Sequence, residues 1–378
     1  MKQVGFNGHP VLAQTAPRRE AVQYTALHDE YAACGGKVVD FHGWALPLQF
    51  AGIVQEHLHA RAHAGLFDCS HMGEFLVEGA AALRAFDRLV YGDMLKLKPG
   101  RCRYSGILNE SGGIIDDCVA LKLSEQELYV VTNAAPLELV ASLMADAVPG
   151  VRDCSGKTAK IDLQGPRSRD ILLGMGLADI APLAYWSGRR TQWNGTEILV
   201  TRAGYTGELG YELYVPNTLA PALWRALAAH PEVAPCGLGA RDTLRTEMGY
   251  PLNGQDVTES KTPLEGGMDR FIAWESDFVG RSALATQRGQ GGYSVLTAIK
   301  SLSRSAPRPG FEVKQEGSVV GVVTSGTFGP SVGCGVGLAY LPQALRQPGT
   351  GLTAGPRDMA IESAALPLYP HGTCRMKF

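Results

Sequence analysis

Apolar residues recur along the chain with two different spacings, and their alternation predicts a mixture of helices and strands. Spacings of three and four residues predict helices over 24–34, 53–63, 80–91, 168–175 and 218–229. Alternating apolar and polar residues predict strands over 37–41, 114–123, 128–133, 160–165, 196–201 and 211–215. The order of elements repeats, so we expect two related α+β units of the ferredoxin-like type.

The last part of the chain has a different pattern, with short apolar runs and no helix between them. Runs at 295–300, 310–313, 319–324 and 335–339 are separated by Pro/Gly turns, which predicts a small antiparallel β-barrel. The polar, glycine-rich stretch 281–292 is predicted to be the linker before it. The expected divisions are an N-terminal extension over 1–23, a region with both ferredoxin-like units over 24–285, and the barrel over 293–378.

The composition is that of a globular protein with more than one domain. At 378 residues the chain exceeds what one hydrophobic core usually fills. Its net charge of −2 argues against broad electrostatic binding to nucleic acid or to an anionic membrane. The eight cysteines include no C-x-x-C pair, which favours buried thiols in a reducing compartment.

The first 23 residues do not have the pattern of a secretory signal, because they contain no continuous apolar segment. They also contain no serine, which argues against a mitochondrial presequence, so we expect an extension without regular structure. The expected location is the cytoplasm in a bacterium, or the mitochondrial matrix in a eukaryote.

Candidate chemistry begins at residues 109–117, where a glycine turn is followed by two acids. Gly112 and Gly113 indicate a hairpin tip that leads into the strand from residue 114. Strand alternation places Asp116 and Asp117 on opposite faces, so one of them should point inward and need a partner. The alternative, that both are exposed turn residues, has similar weight on this stretch alone.

Two further patterns indicate other kinds of site. His59 and His63 have the four-residue spacing of a helical metal pair, but no third ligand accompanies them, so we expect a surface or substrate-side helix face and no metal. The stretch 237–247 is not a dinucleotide fingerprint, because the third glycine of G-x-G-x-x-G is missing. Arg241 at this helix start is suited to binding a carboxylate or to pairing with Asp242.

Several separated motifs resemble the T protein of the glycine cleavage system, a folate-dependent aminomethyltransferase family. The resemblance covers nearly the whole chain from about residue 24. The motifs are VDFHGW (39–44), AGLFDCSHM (64–72), NESGGIIDD (109–117), LQGP (163–166), RAGYTGELGYE (202–212), CGLGARDTLRTE (236–247), TPLE (262–265), FVGR (278–281) and VTSG (323–326). So many motifs in one order make the resemblance specific.

The resemblance implies a cloverleaf of two ferredoxin-like subdomains and a C-terminal antiparallel β-barrel around a central folate channel. It implies that Asp117 is the catalytic acid at the reactive edge of tetrahydrofolate. Glu212 and Tyr205 would contact the pterin, Glu212 as a bidentate acceptor of N–H groups. The other residues expected to line the channel are Tyr104, Asn133, Arg241 and Tyr250.

The implied reaction takes an aminomethyl group from a lipoylated carrier (H) protein and yields methylene-tetrahydrofolate, ammonia and dihydrolipoyl carrier. Because such a carrier is usually acidic, we expect a basic docking patch with Arg225, Arg241, Lys261 or Arg281. The alternative function is a folate-dependent demethylase that acts on a small sulfonium or N-methyl donor. A non-catalytic folate-binding relative is disfavoured, because the stretch 248–255 lacks the cysteine of its signature.

Two departures from the family pattern change the expected site. Leu121 stands where many relatives have tyrosine, so we expect one aromatic wall of the pocket to be altered. The ending 367–375 also differs from the family's, and we assign no ligand role to Arg375.

Overall fold

The computed structural model describes residues 22–378, so the predicted extension over 1–23 lies outside the described residues apart from its last two positions. The helices are α1 (His28–Ala33), α2 (Ile53–Ala62), α3 (Ala80–Leu89), α4 (Leu137–Ala147), α5 (Ser168–Gly174), α6 (Ala220–Ala228), α7 (Leu238–Met248) and α8 (Arg281–Gln290). The first nine strands are β1 (Lys37–Phe41), β2 (Trp44–Gln49), β3 (Ala64–Asp68), β4 (Gly73–Glu78), β5 (Cys102–Leu108), β6 (Ile114–Ser124), β7 (Glu127–Thr132), β8 (Arg152–Asp153) and β9 (Thr158–Gln164). The later strands are β10 (Ser187–Trp193), β11 (Thr196–Arg202), β12 (Gly210–Pro216), β13 (Val233–Pro235), β14 (Val295–Ser301), β15 (Glu312–Gln315), β16 (Ser318–Gly329), β17 (Cys334–Leu341), β18 (Gly351–Ala354) and β19 (Met359–Ser363).

The first unit is a five-stranded antiparallel sheet in the order β5-β6-β7-β4-β8. Helices α3 and α4 cover one face, where Phe75, Phe86 and Met144 belong to one buried cluster. The other face packs against the second unit through a smaller cluster that includes Leu121 and Tyr214. Burial of apolar surface on both faces therefore fixes the strand register, since a one-residue shift would exchange the two sets.

The second unit repeats this topology with one addition. Its sheet has the order β10-β11-β12-β9-β3-β13, so each strand has a counterpart in the first sheet except β3. Strand β3 pairs antiparallel with β9 and parallel with β13. The chain then crosses through residues 69–72 into β4 of the first sheet. The prediction of two related ferredoxin-like units is confirmed, and the crossing segment links them.

The last strands close into a barrel in the order β14-β17-β16-β15-β18-β19, as the short apolar runs predicted. Most of the stretch predicted as the linker is helical, because residues 281–290 form α8. This helix has one fully buried residue, Leu284, which packs on the glycine turn at Gly112. Because the helix buries a single side chain, its sequence is mostly polar and has no clear helical spacing of apolar residues. Such a pattern resembles that of a linker.

Helix α2 carries a buried acid in its first turn. Glu56 is 1% exposed. Its carboxylate accepts backbone N–H groups of Phe50 at 2.6 Å, Gly52 at 2.9 Å and Gly237 at 2.8 Å. It therefore caps the start of its own helix and ties it to the start of α7.

The eight cysteines are all free, and those at 69, 102, 118 and 236 are buried. Burial raises the pKa of the Cys69 thiol and keeps it protonated. Within residues 22–378, none of the helices combines the length and the apolar character needed to cross a membrane.

Candidate functional site

A cavity of about 1830 Å³ lies between the two sheets and reaches the barrel. Its wall includes residues of both sheets, the first turns of α7, and the C-terminal segment 366–378. All seven residues named from the sequence line it: Tyr104, Asp117, Asn133, Tyr205, Glu212, Arg241 and Tyr250. The structure therefore brings together side chains from positions more than a hundred residues apart.

The β5–β6 hairpin positions Asp117. Gly112 has a φ of +83°, which a residue with a side chain rarely adopts. The Asn109 side-chain oxygen accepts the N–H of Gly113 at 2.9 Å and holds the turn closed. From this turn, alternation along β6 directs Asp116 towards the side covered by helices and Asp117 towards the cavity. The predicted arrangement of the two acids is confirmed.

Asp116 is fully buried, and its carboxylate accepts hydrogen bonds from four donors. These are the backbone N–H groups of Asp117 and Asn133, both at 3.0 Å, and the side-chain amides of Asn133 and Asn253, both at 2.7 Å. Such a set satisfies a buried carboxylate without a cation. Asp116 therefore fixes the Asn133 amide, which also contacts Asp117.

Asp117 is partly exposed to the cavity and has two protein donors. The Tyr104 hydroxyl donates to its Oδ2 at 2.7 Å, and the Asn133 amide donates to its Oδ1. Each oxygen keeps a lone pair for a ligand. Burial raises the pKa of Asp117 above the ordinary value, although the bonds from Tyr104 and Asn133 lower it. Burial and the Asp117 charge likewise raise the pKa of Asp116.

Glu212 lies on the cavity wall opposite Asp117. It belongs to a chain of charged side chains that the sequence did not predict. Lys160 contacts Glu212 at 2.9 Å and Asp162 at 2.6 Å, and Asp162 contacts Arg241 at 3.2 Å. Burial lowers the pKa of Lys160, but Asp162 and Glu212 raise it more, so the lysine stays charged. Thr158, Lys160, Asp162 and Gln164 alternate with apolar residues along β9, and that pattern would have indicated a shared polar face.

Two tyrosines form a wall beside this charged chain. The rings of Tyr205 and Tyr250 stack with centroids 5.8 Å apart and an interplanar angle of 25°. The Tyr205 hydroxyl donates to the Pro251 carbonyl at 2.5 Å, and the Arg241 guanidinium lies 5.0 Å from the Tyr205 ring centroid. The result is a flat aromatic surface with a cation beside it.

The sequence left two roles open for Arg241 at the start of α7, binding a carboxylate or pairing with Asp242. Arg241 lines the cavity and pairs with Asp162, not with Asp242. The pairing with Asp242 is made instead by Arg245, at 2.7 Å, which also contacts Asp256 at 2.6 Å. Arg245 is therefore the structural residue, and Arg241 is available to the cavity.

Leu121 does not lie among the residues that line the cavity. It is 2% exposed in the cluster where the two sheets pack, beside Tyr129 and Leu199. The expectation that it alters a pocket wall is wrong: Leu121 shares a face of β6 with Asp117, but four residues further along the strand the second sheet packs on that face and closes it.

The C-terminal segment contributes more of the cavity wall than its sequence indicated. Arg375 and Cys374 line the cavity. Thr373 anchors the segment by donating to Glu208 at 2.5 Å, and Phe378 lies 4.3 Å from the guanidinium of Arg169. A chain end that crosses the cavity cannot be recognised from local pattern, because its partners are distant in sequence.

The His59–His63 pair at the C-terminal end of α2 faces a carboxylate. The rings of His59 and His63 have centroids 4.9 Å apart, and His63 lies 3.6 Å from Glu232. Across residues 22–378, we find no cluster of three or more His, Cys, Asp or Glu side chains arranged to hold a metal ion.

Of the four basic residues considered for docking, Arg241 lies inside the cavity, so it does not belong to a surface patch. The other three have protein partners: Arg225 with Glu30 at 2.6 Å, Lys261 with Glu265 at 2.9 Å, and Arg281 with the Trp274 carbonyl at 2.9 Å. A docking role for these three stays a prediction.

Comparison with known families assigns both parts of the chain. Residues 27–276 match the GCVT N-terminal domain, and residues 295–369 match the glycine cleavage T-protein C-terminal barrel domain. The second match coincides with the closed barrel. Together the two matches leave little of the described chain unassigned.

Individual relatives agree with this assignment. An aminomethyltransferase of Halalkalibacterium halodurans is 39% identical over 360 residues, which cover 92% of this chain and 98% of the relative. One of Streptomyces coelicolor is 39% identical over 361 residues, with coverage of 91% and 97%. These names confirm the enzyme class that the motifs predicted.

A solved structure agrees over the whole fold. The crystal structure of glycine cleavage system aminomethyltransferase T from Bartonella henselae has a TM-score of 0.88 and 33% sequence identity. It covers 93% of this chain and 99% of that chain. The chain belongs to the glycine cleavage T-protein family.

Proposed function

We propose that this aminomethyltransferase transfers its one-carbon unit to tetrahydrofolate from the lipoyl arm of a carrier (H) protein, with Asp117 as the catalytic acid. The observation that carries the proposal is the placement of Asp117 in the cavity wall. Its carboxylate is held by Tyr104 and Asn133 while both oxygens keep acceptor capacity. A fixed carboxylate of this kind stabilises positive charge that develops on a bound ligand.

The cavity is large enough to hold tetrahydrofolate and the tip of a lipoyl arm at the same time. Its volume of about 1830 Å³ exceeds the roughly 300–1,000 Å³ of most small-molecule sites. The Tyr205–Tyr250 stack offers a flat surface for a pterin ring, and Arg241 offers a cation for a folate carboxylate. These features fit tetrahydrofolate together with a slender arm.

Glu212 would make fewer hydrogen bonds to the pterin than the bidentate pair that the family resemblance implied. Its Oε2 already accepts hydrogen bonds from Thr201 at 2.8 Å and Tyr214 at 3.0 Å. Its Oε1 contacts Lys160 at 2.9 Å and keeps one lone pair. We therefore expect one N–H contact to Oε1 in place of the bidentate pair.

The chemistry requires a sulfur–CH2–NH2 unit to lose ammonia and gain two bonds to folate nitrogen. Two N–H hydrogens leave the folate nitrogens; one completes ammonia and the other the released thiol. Folate supplies the two nitrogen nucleophiles when it is bound. Asp117 would lower the energy of the positive charge at carbon and nitrogen, and would accept a hydrogen bond from the group that loses its proton.

Turnover with defined components tests the proposal. Isothermal titration with tetrahydrofolate should give saturable binding, and a lipoylated carrier protein loaded with aminomethyl should release ammonia only when folate is present. A sulfonium or N-methyl donor should give no product under the same conditions. Product from such a donor, with none from the carrier, would establish the demethylase alternative.

A further inference from the structure

His71 stands where the chain crosses from one sheet to the other. It follows β3 of the second sheet and precedes β4 of the first, within residues 69–72. The segment is held to β9 by the Cys69 N–H, which donates to the Lys160 carbonyl at 2.9 Å. On its other side, Gly73 pairs with Thr132, the residue before Asn133. His71 therefore lies between the Glu212 wall and the Asp117 wall.

The imidazole of His71 lines the cavity and has no hydrogen bond to another described residue. The residue is 7% exposed, and its Nδ1 is buried without a partner. Its ring makes an edge contact with Phe41, with centroids 5.7 Å apart. An imidazole always carries at least one N–H, and a buried polar group without a partner is rare because it is unfavourable. Its second nitrogen, Nε2, is not buried and has no hydrogen bond to a described residue either, so in this cavity-lining residue Nε2 is the atom that a ligand can satisfy.

The surroundings keep this imidazole uncharged. Burial, followed by the positive charges of Arg241 and Lys160, lowers the pKa of His71 to about 3. A neutral ring offers one donor and one acceptor, which suits an uncharged heterocycle better than a carboxylate. Since Nδ1 is buried, Nε2 is the nitrogen that a ligand reaches.

We infer that His71 is a further folate-binding residue, whose Nε2 forms a hydrogen bond to the uncharged pterin ring between the Asp117 and Glu212 walls. This inference rests on the proposed function. It assigns a role to the AGLFDCSHM motif, to which the reaction itself gave none.

Amide substitutions test which nitrogen is used. A glutamine amide reaches the position of Nε2, whereas an asparagine amide reaches only that of Nδ1. We expect His71→Phe and His71→Asn to weaken binding of tetrahydrofolate, measured by isothermal titration, by about tenfold or more. His71→Gln should stay within about threefold of the unsubstituted protein.

The matched control is His28→Phe. His28 also has a buried Nδ1 without a partner, but it does not line the cavity. Its replacement should leave folate binding unchanged, and melting curves of all variants should show that they fold.

Three results would overturn the inference: unchanged affinity in a folded His71→Phe, equal weakening in Phe, Asn and Gln variants, or weakening that follows a loss of melting temperature. If the unsubstituted protein does not bind tetrahydrofolate, the proposed function fails instead. The two failures are therefore distinguishable.

Discussion

Tyr104 donates its phenolic hydrogen to Asp117 across neighbouring strands of the first sheet, with 2.7 Å between Oη and Oδ2. The bond orients the carboxylate and lowers its pKa, while burial raises it. The balance leaves an acid that is perturbed by burial yet directed at a cavity, which is the arrangement expected of a functional carboxylate.

Replacement of Asp117 by Asn should separate catalysis from binding. The amide keeps the size of the side chain but removes its negative charge, so turnover should fall by on the order of a hundredfold or more. Folate affinity, measured by titration, should change little. Asp146→Asn on the exposed face of α4 is the control and should keep full activity. Equal losses of turnover and affinity would mean that Asp117 only positions folate.

The fall of kcat/KM at low pH, the acid limb of the pH profile, should report protonation of the Asp116–Asp117 pair. Because burial raises the pKa of Asp117, kcat/KM should fall on acidification at a pH above the ordinary aspartate range. Tyr104→Phe removes a donor that lowers this pKa, so the limb should move to higher pH.

The control for Tyr104→Phe is Tyr129→Phe. The Tyr129 hydroxyl is buried without a partner and does not line the cavity. Its removal should leave the limb in place. A limb that moves equally in both variants would contradict the assignment to Asp117.

Local pattern was sufficient for much of the fold. The strand alternation that separates Asp116 from Asp117 is confirmed, because two-residue periodicity depends only on neighbouring positions. The barrel was predicted from its turns, since short strands without helices have few other arrangements.

The features that the sequence did not predict correctly share a physical cause. Each depends on contacts between residues that are distant in the sequence. Leu121 is apolar and alternates correctly, but only the packing of the second sheet decides that its face is closed there. Lys160 is satisfied by Glu212, a residue on a strand more than fifty positions away. Sequence pattern identifies a polar position in a strand, whereas the partner that makes it functional comes from topology.

The glycine turn should tolerate no side chain at Gly113. A Cβ there would lie 1.7 Å from the Glu259 carbonyl oxygen, so the 258–261 loop would have to move. We expect Gly113→Ala to lower the free energy of unfolding by about 2 kcal/mol, seen as a lower melting temperature, and to reduce turnover through displacement of Asp117. Gly156→Ala, where a Cβ meets nothing within 4 Å, should change neither quantity. Full stability in Gly113→Ala would show that the loop yields without strain.

Loss of Lys160 should destabilise the protein as well as the site. Lys160→Met leaves Glu212 and Asp162 buried without their shared cation, and removal of one partner from a buried ion pair costs about 3–5 kcal/mol. Arg241 still pairs with Asp162, so we expect a loss near the lower end, about 3 kcal/mol in urea unfolding. Folate affinity should also fall, because Glu212 loses the contact that orients Oε1. Lys157→Met, on the exposed turn before β9, should behave like the unsubstituted protein. A Lys160→Met protein of unchanged stability and affinity would mean that Glu212 needs no cation to hold its position.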